Sequence, residues 1–424
     1  MQVSVDVRDD AGSHRGRATL AKSAAAVLAA AVWVACALLL ARTTVPALDL
    51  PALNPGDYFS VAELDRADRF RSVTRALWGA SVALELIVLA LLVWRGRGLA
   101  RRLGMVARGR VRTGVSLGLV AVALAALATL PLAATRHWWN RRYGLSEQGY
   151  APWLGDWALS VAVRAALVAL AVAGVVWLAG RLGSRWWLAA APALAALAAG
   201  FVLVQPLVVQ PLFNRFEPLP DAALAAEVRA LGEEIGVEIE TVQVADASRR
   251  TTTANAYVAG IGPTRRVVFF DTILDGRFSA PELASVAAHE LAHVARNHVW
   301  KGVAWFVLLA VPGLALVAWV TGRRGGLRDP ALVPLGLLVA LTVSLVTLPL
   351  QNAVSRRYEA EADWIALRAT GDPDASIGLD RRLAETSLGD PDPPGWAKLF
   401  LSTHPPTLER IAMAQAFRTY DQRR

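Results

Sequence analysis

The sequence predicts a mainly α, polytopic membrane protein with about seven transmembrane helices and one small α+β domain. Hydrophobic residues make up 55% of the 424 residues, and the mean hydropathy is +0.39, values that do not fit an ordinary soluble globule. Apolar runs of about 20 residues, the length that crosses a bilayer as a helix, recur along the chain. We therefore divide the chain into a membrane domain, 1–211, and a second domain, 212–424, that includes the last two runs.

Seven apolar runs are candidates for transmembrane helices. Five have no charged residue, and the other two carry one each, Glu85 and Arg164. Tryptophans such as Trp94 and Trp138 lie at the ends of runs, as in the aromatic belts of membrane proteins. The first run lacks a convincing cleavage site, so we expect a retained anchor and not a signal peptide. The runs are 23–41, 76–94, 113–135, 157–180, 186–209, 302–321 and 331–350.

The net charge of +9 does not by itself indicate nucleic-acid binding. Many basic residues lie in short loops between the apolar runs, with no recognition motif around them, which is typical of membrane proteins. Seven arginines fall within 95–112 without an acidic residue. Basic residues are more numerous in the short segments on the face away from the polar domain, so the positive-inside rule places that domain outside.

The single cysteine, Cys36, lies in the first apolar run and excludes both an intrachain disulfide and a cysteine metal cluster. Any metal therefore needs histidine and carboxylate ligands. The candidate histidines are His14, His137, His289, His293, His298 and His404.

The polar stretch from about 212 to 300 is predicted to combine helix and strand. Residues 221–236 have the composition of a helix, and residues 237–246 and 265–274 are strand-like. Between them, 255–260 (NAYVAG) precede a Gly-Pro turn and form a candidate edge strand. Because a protease often holds its substrate as an added strand, we expect substrate to bind at this edge.

Residues 289–293 read His-Glu-Leu-Ala-His, in a helix-like stretch that Pro281 opens. On a helix, His289 and His293 are one turn apart and point the same way, so they can bind one Zn²⁺. Glu290 lies about 100° further round the helix, where it can act as a base on a water beside the metal without becoming a ligand. The pattern predicts metal-assisted hydrolysis.

A catalytic zinc needs a third protein ligand, and the helix-like stretch 355–367 offers Glu359. Asp363 lies one turn further on the same face, where it can accept a hydrogen bond from the far nitrogen of a ligating histidine. Glu361 lies about 200° from Glu359 and points elsewhere. His298 is nine residues beyond His289, about 900° around the helix, which places it on the opposite face, so we expect it not to be a ligand.

His404 lies in the segment STHPPTLERI, where the following proline favours extended backbone. It could act as an oxyanion donor together with Arg410, although the residues alone favour a turn histidine without a role. In the candidate edge strand, Asn255, Ala256 and Tyr257 would line the substrate cleft.

With these motifs the chain resembles the integral-membrane CAAX prenyl endopeptidases, zinc metalloproteases related to the bacterial heat-shock membrane metalloproteases. Two upstream segments, RRYGLSEQ and QPLFNRFEPLPD, resemble the prenyl endopeptidase branch more than the shorter heat-shock branch. The other matching segments are, in order, ANAYVAG, VVFFDTIL, HELAHV, NAVSRRYEAEAD and HPPTLERI.

The resemblance implies that His289, His293 and Glu359 bind one Zn²⁺ per chain, with Glu290 as the base and Asp363 as the motif aspartate. It also implies a substrate strand at Asn255 and Ala256, and a place near the reacting carbonyl for His404 and Arg410. The partners it implies are a peptide or protein substrate, lipidated or not, and the bilayer, with no nucleic acid. Family members enclose a chamber between their membrane helices, and we expect Glu85 and Arg164 to face it because exposing either to lipid is costly.

Several alternatives remain open at this stage. The Ala-, Arg- and Leu-rich composition suggests a bacterial plasma membrane, where general quality control of membrane proteins is as plausible a task as prenyl-protein processing. A catalytically silent scaffold would lack a ligand or the base, and a transporter would show an inverted repeat; the sequence shows neither sign. The eukaryotic family places its active site on the cytosolic side, so the membrane orientation is open.

Overall fold

The computed structural model describes residue 23 and residues 27–422. By its contacts the chain forms two compact units, Met1–Thr43 and Thr44–Arg424. The first contains the short apolar helix α1, Val27–Leu40. The helices of the second unit are α2 (Val61–Ala107), α3 (Arg110–Arg142), α4 (Tyr150–Leu182), α5 (Trp186–Val204), α6 (Gln210–Phe213), α7 (Ala222–Ile235), α8 (Ala280–Ala295), α9 (His298–Gly322), α10 (Val333–Thr370), α11 (Pro373–Ser387), α12 (Gly395–Leu401) and α13 (Thr407–Asp421). The strands are β1 (Phe216–Pro218), β2 (Thr241–Ala245), β3 (Ala256–Ala259) and β4 (Arg266–Phe270).

Five helical segments of the described chain are long and apolar enough to span a membrane, which confirms a mainly α, polytopic architecture. The third segment contains both α4 and α5, which pack against each other. It therefore covers two of the seven predicted runs, whereas the first run corresponds to the shorter α1. The count of seven and the enclosed chamber stay predictions. The segments are Val61–Met105, Arg110–Arg142, Tyr150–Phe213, His298–Gly322 and Pro330–Thr370.

The helical segment of the fifth apolar run continues past Val204. The α-helix gives way to a π-helical turn, Gln205–Val209, and α6 follows directly. Pro206 is buried in that turn. Since proline lacks an N–H group, a wider turn lets the chain pass it without ending the helix.

Helix α3 packs between α2 and α4. The glycines of α3 allow α4 to pack closely against it, since a Cβ at Gly114 would lie 3.0 Å from a methyl group of Val176 on α4. The charged residues of the second and fourth predicted runs face each other, with Arg164 Nη1 3.1 Å from Glu85 Oε1. The pair links α2 to α4 past the intervening helix, so neither charge lacks a counter-ion.

The four strands form one mixed sheet in the order β1-β2-β4-β3. Strand β4 pairs parallel with β2 and antiparallel with β3. Apolar residues of the sheet pack with α7 and α8 around buried side chains such as Val228, Phe269 and Leu291. Strand β3 lies at the end of the sheet, as predicted for NAYVAG, and packs beside α8.

Helix α10 contains both the last apolar run and the polar helix that follows it, without a break. Its N-terminal half is the apolar run, and its C-terminal half packs against α8. The predicted helix over 355–367 is therefore confirmed as part of a longer helix. Helices α11 and α13 pack together beyond it, so the site assembles where α8, α10 and α13 meet.

Candidate active site

Helix α8 begins with several capping contacts that fix where it starts. Ser279 is the N-cap residue and Pro281 lies in the first turn. Glu282 Oε2 accepts a hydrogen bond from the backbone N–H of Ser279 at 2.7 Å, which completes a capping box. Its other oxygen contacts Arg382 of α11 at 2.8 Å. These contacts hold the helix that presents the His-Glu-x-x-His motif.

His289 and His293 point the same way from α8, as their spacing predicted. Their Nε2 atoms are 3.1 Å apart. Glu359 of α10 faces them, with its Oε2 atom 3.3 Å from His289 Nε2 and 3.5 Å from His293 Nε2. One ligand atom from each of the three residues lies within 4.8 Å of the other two.

The chemistry of these three side chains fits a metal ion. Glu359 Oε2 is buried and has no hydrogen-bond partner among the described residues, although imidazole nitrogens surround it. A buried carboxylate oxygen without a partner is costly unless it binds a cation. Two imidazoles and one carboxylate are a ligand set of catalytic zinc sites.

Glu290 lies beside the ligands on the same helix. Burial raises the pKa of its carboxyl group above the ordinary value, while the neighbouring His289 and His293 act in the opposite direction. A carboxylate whose pKa is raised is a stronger base once it is ionised. Its place beside the two histidines is the one that the spacing predicted, and its role as a proton acceptor stays a prediction.

Asp363 accepts the hydrogen bond expected from the far side of a ligating histidine. His289 Nδ1 is 2.8 Å from Asp363 Oδ1, which leaves His289 Nε2 for the metal. Arg410 of α13 donates to both carboxylate oxygens of Asp363, at 2.9 Å and 2.6 Å. Its remaining guanidinium nitrogen, Nη1, lies 2.7 Å from Asp380 of α11. Arg410 therefore joins three helices behind the site.

The charge balance in this group centres on Arg410. Burial alone would lower the pKa of Arg410, but Asp363 and Asp380 raise it above the ordinary value. Burial raises the pKa of Asp380 to about 7, against the attraction of Arg410. With its guanidinium bound to two carboxylates, Arg410 is arranged to hold Asp363, and direct contact with an oxyanion stays a prediction.

His404 lies at the open side of the site. Its Nε2 atom is 3.2 Å from Glu359 Oε2, and Thr403 Oγ1 lies 3.0 Å from its Nδ1 atom. The preceding residues are tied to α10, where Arg356 donates to the carbonyl groups of Lys398 and Ser402 at 2.7 and 2.8 Å. The side chain is 60% exposed, so it can reach a bound substrate.

The edge strand has backbone groups on the side away from β4, where a substrate strand could bind. Phe270 N–H donates to the carbonyl of Asn255 at 2.9 Å. Since bonded and non-bonded pairs alternate along antiparallel strands, the backbone groups of Ala256 and Val258 point away from β4. Asn255 is exposed, and its side-chain oxygen accepts the Ala256 N–H at 3.0 Å. Tyr257 packs edge-on against the Phe270 ring, and burial raises its pKa to about 12.

The expected position of His298 was wrong. Helix α8 ends at Ala295, and Asn297 adopts the left-handed conformation with φ 54°. The chain turns there, and His298 starts α9 with its ring 2.9 Å from His293, Nδ1 to Nδ1. The 100° rotation per residue does not continue through such a turn. His298 is still absent from the group of possible metal ligands in the described chain.

The residue pattern also gave no indication of Asp380 or of the surroundings of Glu361. Asp380 lies on a helix whose place beside Arg410 depends on tertiary packing. Asn297 did carry a signal, because asparagine tolerates the left-handed conformation and often follows the last turn of a helix.

Comparisons with known proteins bear directly on this geometry. Residues 218–418 match the family profile described as peptidase family M48. Residues 38–215 match the profile of the CAAX prenyl protease N-terminal region with five membrane helices. The chain belongs to the M48 peptidase family. The His289–Glu290–His293 motif and Glu359 lie within the first match, so this M48 member is a membrane metalloendopeptidase.

Individual M48 relatives agree with this assignment. An uncharacterized metalloprotease of Bacillus subtilis, YhfN, is 29% identical over 374 residues, 85% of this chain and 88% of the relative. A CAAX prenyl protease 1 homolog of Oryza sativa is 29% identical over 229 residues, 51% of this chain and 53% of the relative. The crystal structure of S. mikatae Ste24p has the same fold, with a TM-score of 0.71 at 19% identity, covering 88% of this chain and 92% of that chain.

Proposed function

We propose that this M48 peptidase is a zinc-dependent endopeptidase of a bacterial plasma membrane, with one zinc ion held by His289, His293 and Glu359. The observation that carries the proposal is the convergence of these three donors around the buried, unpartnered Glu359 Oε2. The similarity to the Bacillus subtilis metalloprotease supports the bacterial membrane. The boundaries of the two profile matches support the division into domains 1–211 and 212–424.

The residues around the ligands have distinct tasks in peptide hydrolysis. His289, His293 and Glu359 would hold a zinc ion, which when bound would supply a Lewis acid for the water molecule and the scissile carbonyl group. Glu290 takes the proton of the attacking water and then gives it to the leaving amine. His404 donates an N–H group to the developing oxyanion. Asp363, held by Arg410, keeps His289 in the tautomer whose Nε2 atom carries a lone pair.

The substrate is proposed to bind as an additional strand on β3, next to α8. The outward carbonyl group of Ala256 and the outward backbone groups of Val258 would bond to the substrate main chain. The side chains of Asn255 and Tyr257 would line this cleft. Main-chain recognition of this kind tolerates many side chains, so sequence preference would come from the pockets next to the strand.

We propose a peptide that carries a prenyl group near its C-terminus as the substrate. The match to the N-terminal region of CAAX prenyl proteases supports this class. The test is cleavage of a farnesylated CAAX peptide and its unlipidated twin by the purified protein in detergent. Cleavage that requires the lipid supports the proposal, whereas equal cleavage of both peptides assigns a general role in membrane-protein quality control.

The control for this assay is Glu290→Gln, which has the same shape but cannot accept the proton. We expect it to bind zinc like the unchanged protein and to lose turnover by about 100-fold or more. Retained turnover in this variant would overturn the assignment of the base. A chelator should abolish activity and added zinc should restore it. A reporter fused at the C-terminus distinguishes the two possible membrane orientations of the active site.

A further inference from the structure

A cluster of buried polar residues lies next to His293, on the side of its ring that faces away from His289 and Glu359. At its centre is Glu361, whose side chain is 0% exposed. One of its oxygens accepts hydrogen bonds from the backbone N–H and the hydroxyl of Thr44, both at 2.8 Å. Arg296 Nε donates to the same oxygen at 2.9 Å. Glu361 is therefore held as an ionised acceptor, with Lys301 Nζ 3.7 Å from its other oxygen.

His298 connects this carboxylate to the metal site. Its Nε2 atom is 3.0 Å from Glu361 Oε2, and its Nδ1 atom is 2.9 Å from His293 Nδ1. Its ring stacks on that of Tyr358, with centroids 4.6 Å apart and planes within 10°. The His298 side chain is 4% exposed, so protein groups and not water determine its orientation.

These contacts admit one arrangement of N–H groups that leaves His293 able to bind a metal. A ligating His293 offers a lone pair from Nε2, so its proton is on Nδ1. That proton is then donated to His298 Nδ1, which must be the acceptor. The remaining His298 N–H, on Nε2, is donated to Glu361. Each N–H group from His293 through His298 to Glu361 therefore has an acceptor, and no two donors face each other.

We infer that His298 is a positioning residue for the metal site, which passes the orienting effect of Glu361 to His293. The inference rests on the proposed zinc function. The two histidine ligands are thus supported differently: His289 bonds directly to a carboxylate, whereas His293 reaches one through a second imidazole. Asn297 makes this possible, because its left-handed turn brings His298 back beside the end of α8.

His298 contacts the proposed ligand His293 from the side away from the metal. Loss of such a contact weakens metal binding by about 10- to 100-fold. His298→Phe keeps a ring that can stack on Tyr358 but removes both nitrogens. His137→Phe is the matched control, since His137 is also buried and stacked, on Trp153, and bonds to the Gln148 carbonyl. It lies in another part of the chain and touches none of the proposed ligands.

The experiment measures the zinc dissociation constant by competition with a chelator, and the melting temperature with and without zinc. We expect His298→Phe to weaken zinc binding by about tenfold or more and to reduce the rise in melting temperature that zinc produces. A role in packing alone would lower both melting temperatures equally, as we expect for His137→Phe. Glu361→Gln, which preserves volume but removes the charge, should weaken zinc binding in the same direction.

The outcomes separate this inference from the proposed function. Zinc binding by His298→Phe within about twofold of the unchanged protein would overturn the inference and leave the zinc site intact. Failure of the unchanged protein to bind zinc would overturn both. If His298→Phe does not fold, Glu361→Gln decides, and unchanged zinc affinity in that variant would overturn the inference.

Discussion

Replacing Asp363 with asparagine isolates the contact behind His289. Asp363 accepts three hydrogen bonds, from His289 to Oδ1 and from Arg410 to both oxygens. The amide of asparagine can place its oxygen at Oδ1 and keep the bond from His289. Its NH₂ group then faces Arg410 Nε, and two donors oppose each other.

The expected magnitudes follow from these contacts. Losing one charge-assisted hydrogen bond lowers the free energy of unfolding by about 2 kcal/mol, and Arg410 keeps its contact with Asp380. The bond from His289 survives with a neutral acceptor, and charge-assisted bonds are roughly twice as strong as neutral ones. We therefore expect zinc binding to weaken by about tenfold, or about 1.4 kcal/mol.

The assay is zinc affinity by chelator competition, with Asp380→Asn as the control. Both substitutions remove a carboxylate that contacts Arg410, but only Asp363 contacts His289. Since burial raises the pKa of Asp380 to about 7, a neutral amide is a mild change there, and zinc affinity should stay within about twofold. Equal weakening by both variants would refute the reasoning, because the effect would then act through Arg410. Unchanged affinity in Asp363→Asn would refute it as well.

Three further predictions concern the cleft and the membrane helices. Val258→Pro removes an N–H that faces away from β4, so it should lower kcat/KM about tenfold with little change in melting temperature. Tyr257→Pro removes an N–H that faces β4, so it should destabilise the sheet by about 3 kcal/mol. Equal stability of the two variants would contradict the register. His404→Phe should lower kcat about 100-fold with zinc affinity unchanged, and an unaltered kcat would remove His404 from the oxyanion site. Glu85→Leu and Arg164→Leu should each lower the free energy of unfolding by about 1 kcal/mol, and the double variant should lower it by less than the sum of the two. The measurement is thermal unfolding in detergent. If both substitutions leave folding and activity unaffected, the pair does not face a chamber.

The local sequence predicted the elements that carry the chemistry. The helix-like composition around the motif and Pro281 predicted the helix that the structure places at Ala280–Ala295, and the His-Glu-x-x-His spacing places two imidazoles on one face. The helix over 355–367, the apolar helices and three of the four strands were equally predictable from composition, whereas the short strand β1 was not predicted. These features depend on residues within a few positions of each other, which the sequence displays directly.

Contacts between distant segments could not be read in this way. The pairing of Arg410 with Asp380, and of Arg164 with Glu85, depends on how separate helices pack. The position of His298 depended on one backbone angle at Asn297, which broke the helical periodicity used to place it.

The sequence by itself determined the membrane class and predicted the ligand set and the base, because each follows from local pattern and side-chain chemistry. The tertiary structure decided which groups contact the far nitrogens of the two histidines. His289 bonds directly to a carboxylate, whereas His293 contacts a second imidazole that bonds to one. The physical reason is that hydrogen bonds act over about 3 Å, and only packing brings residues from remote parts of the chain that close.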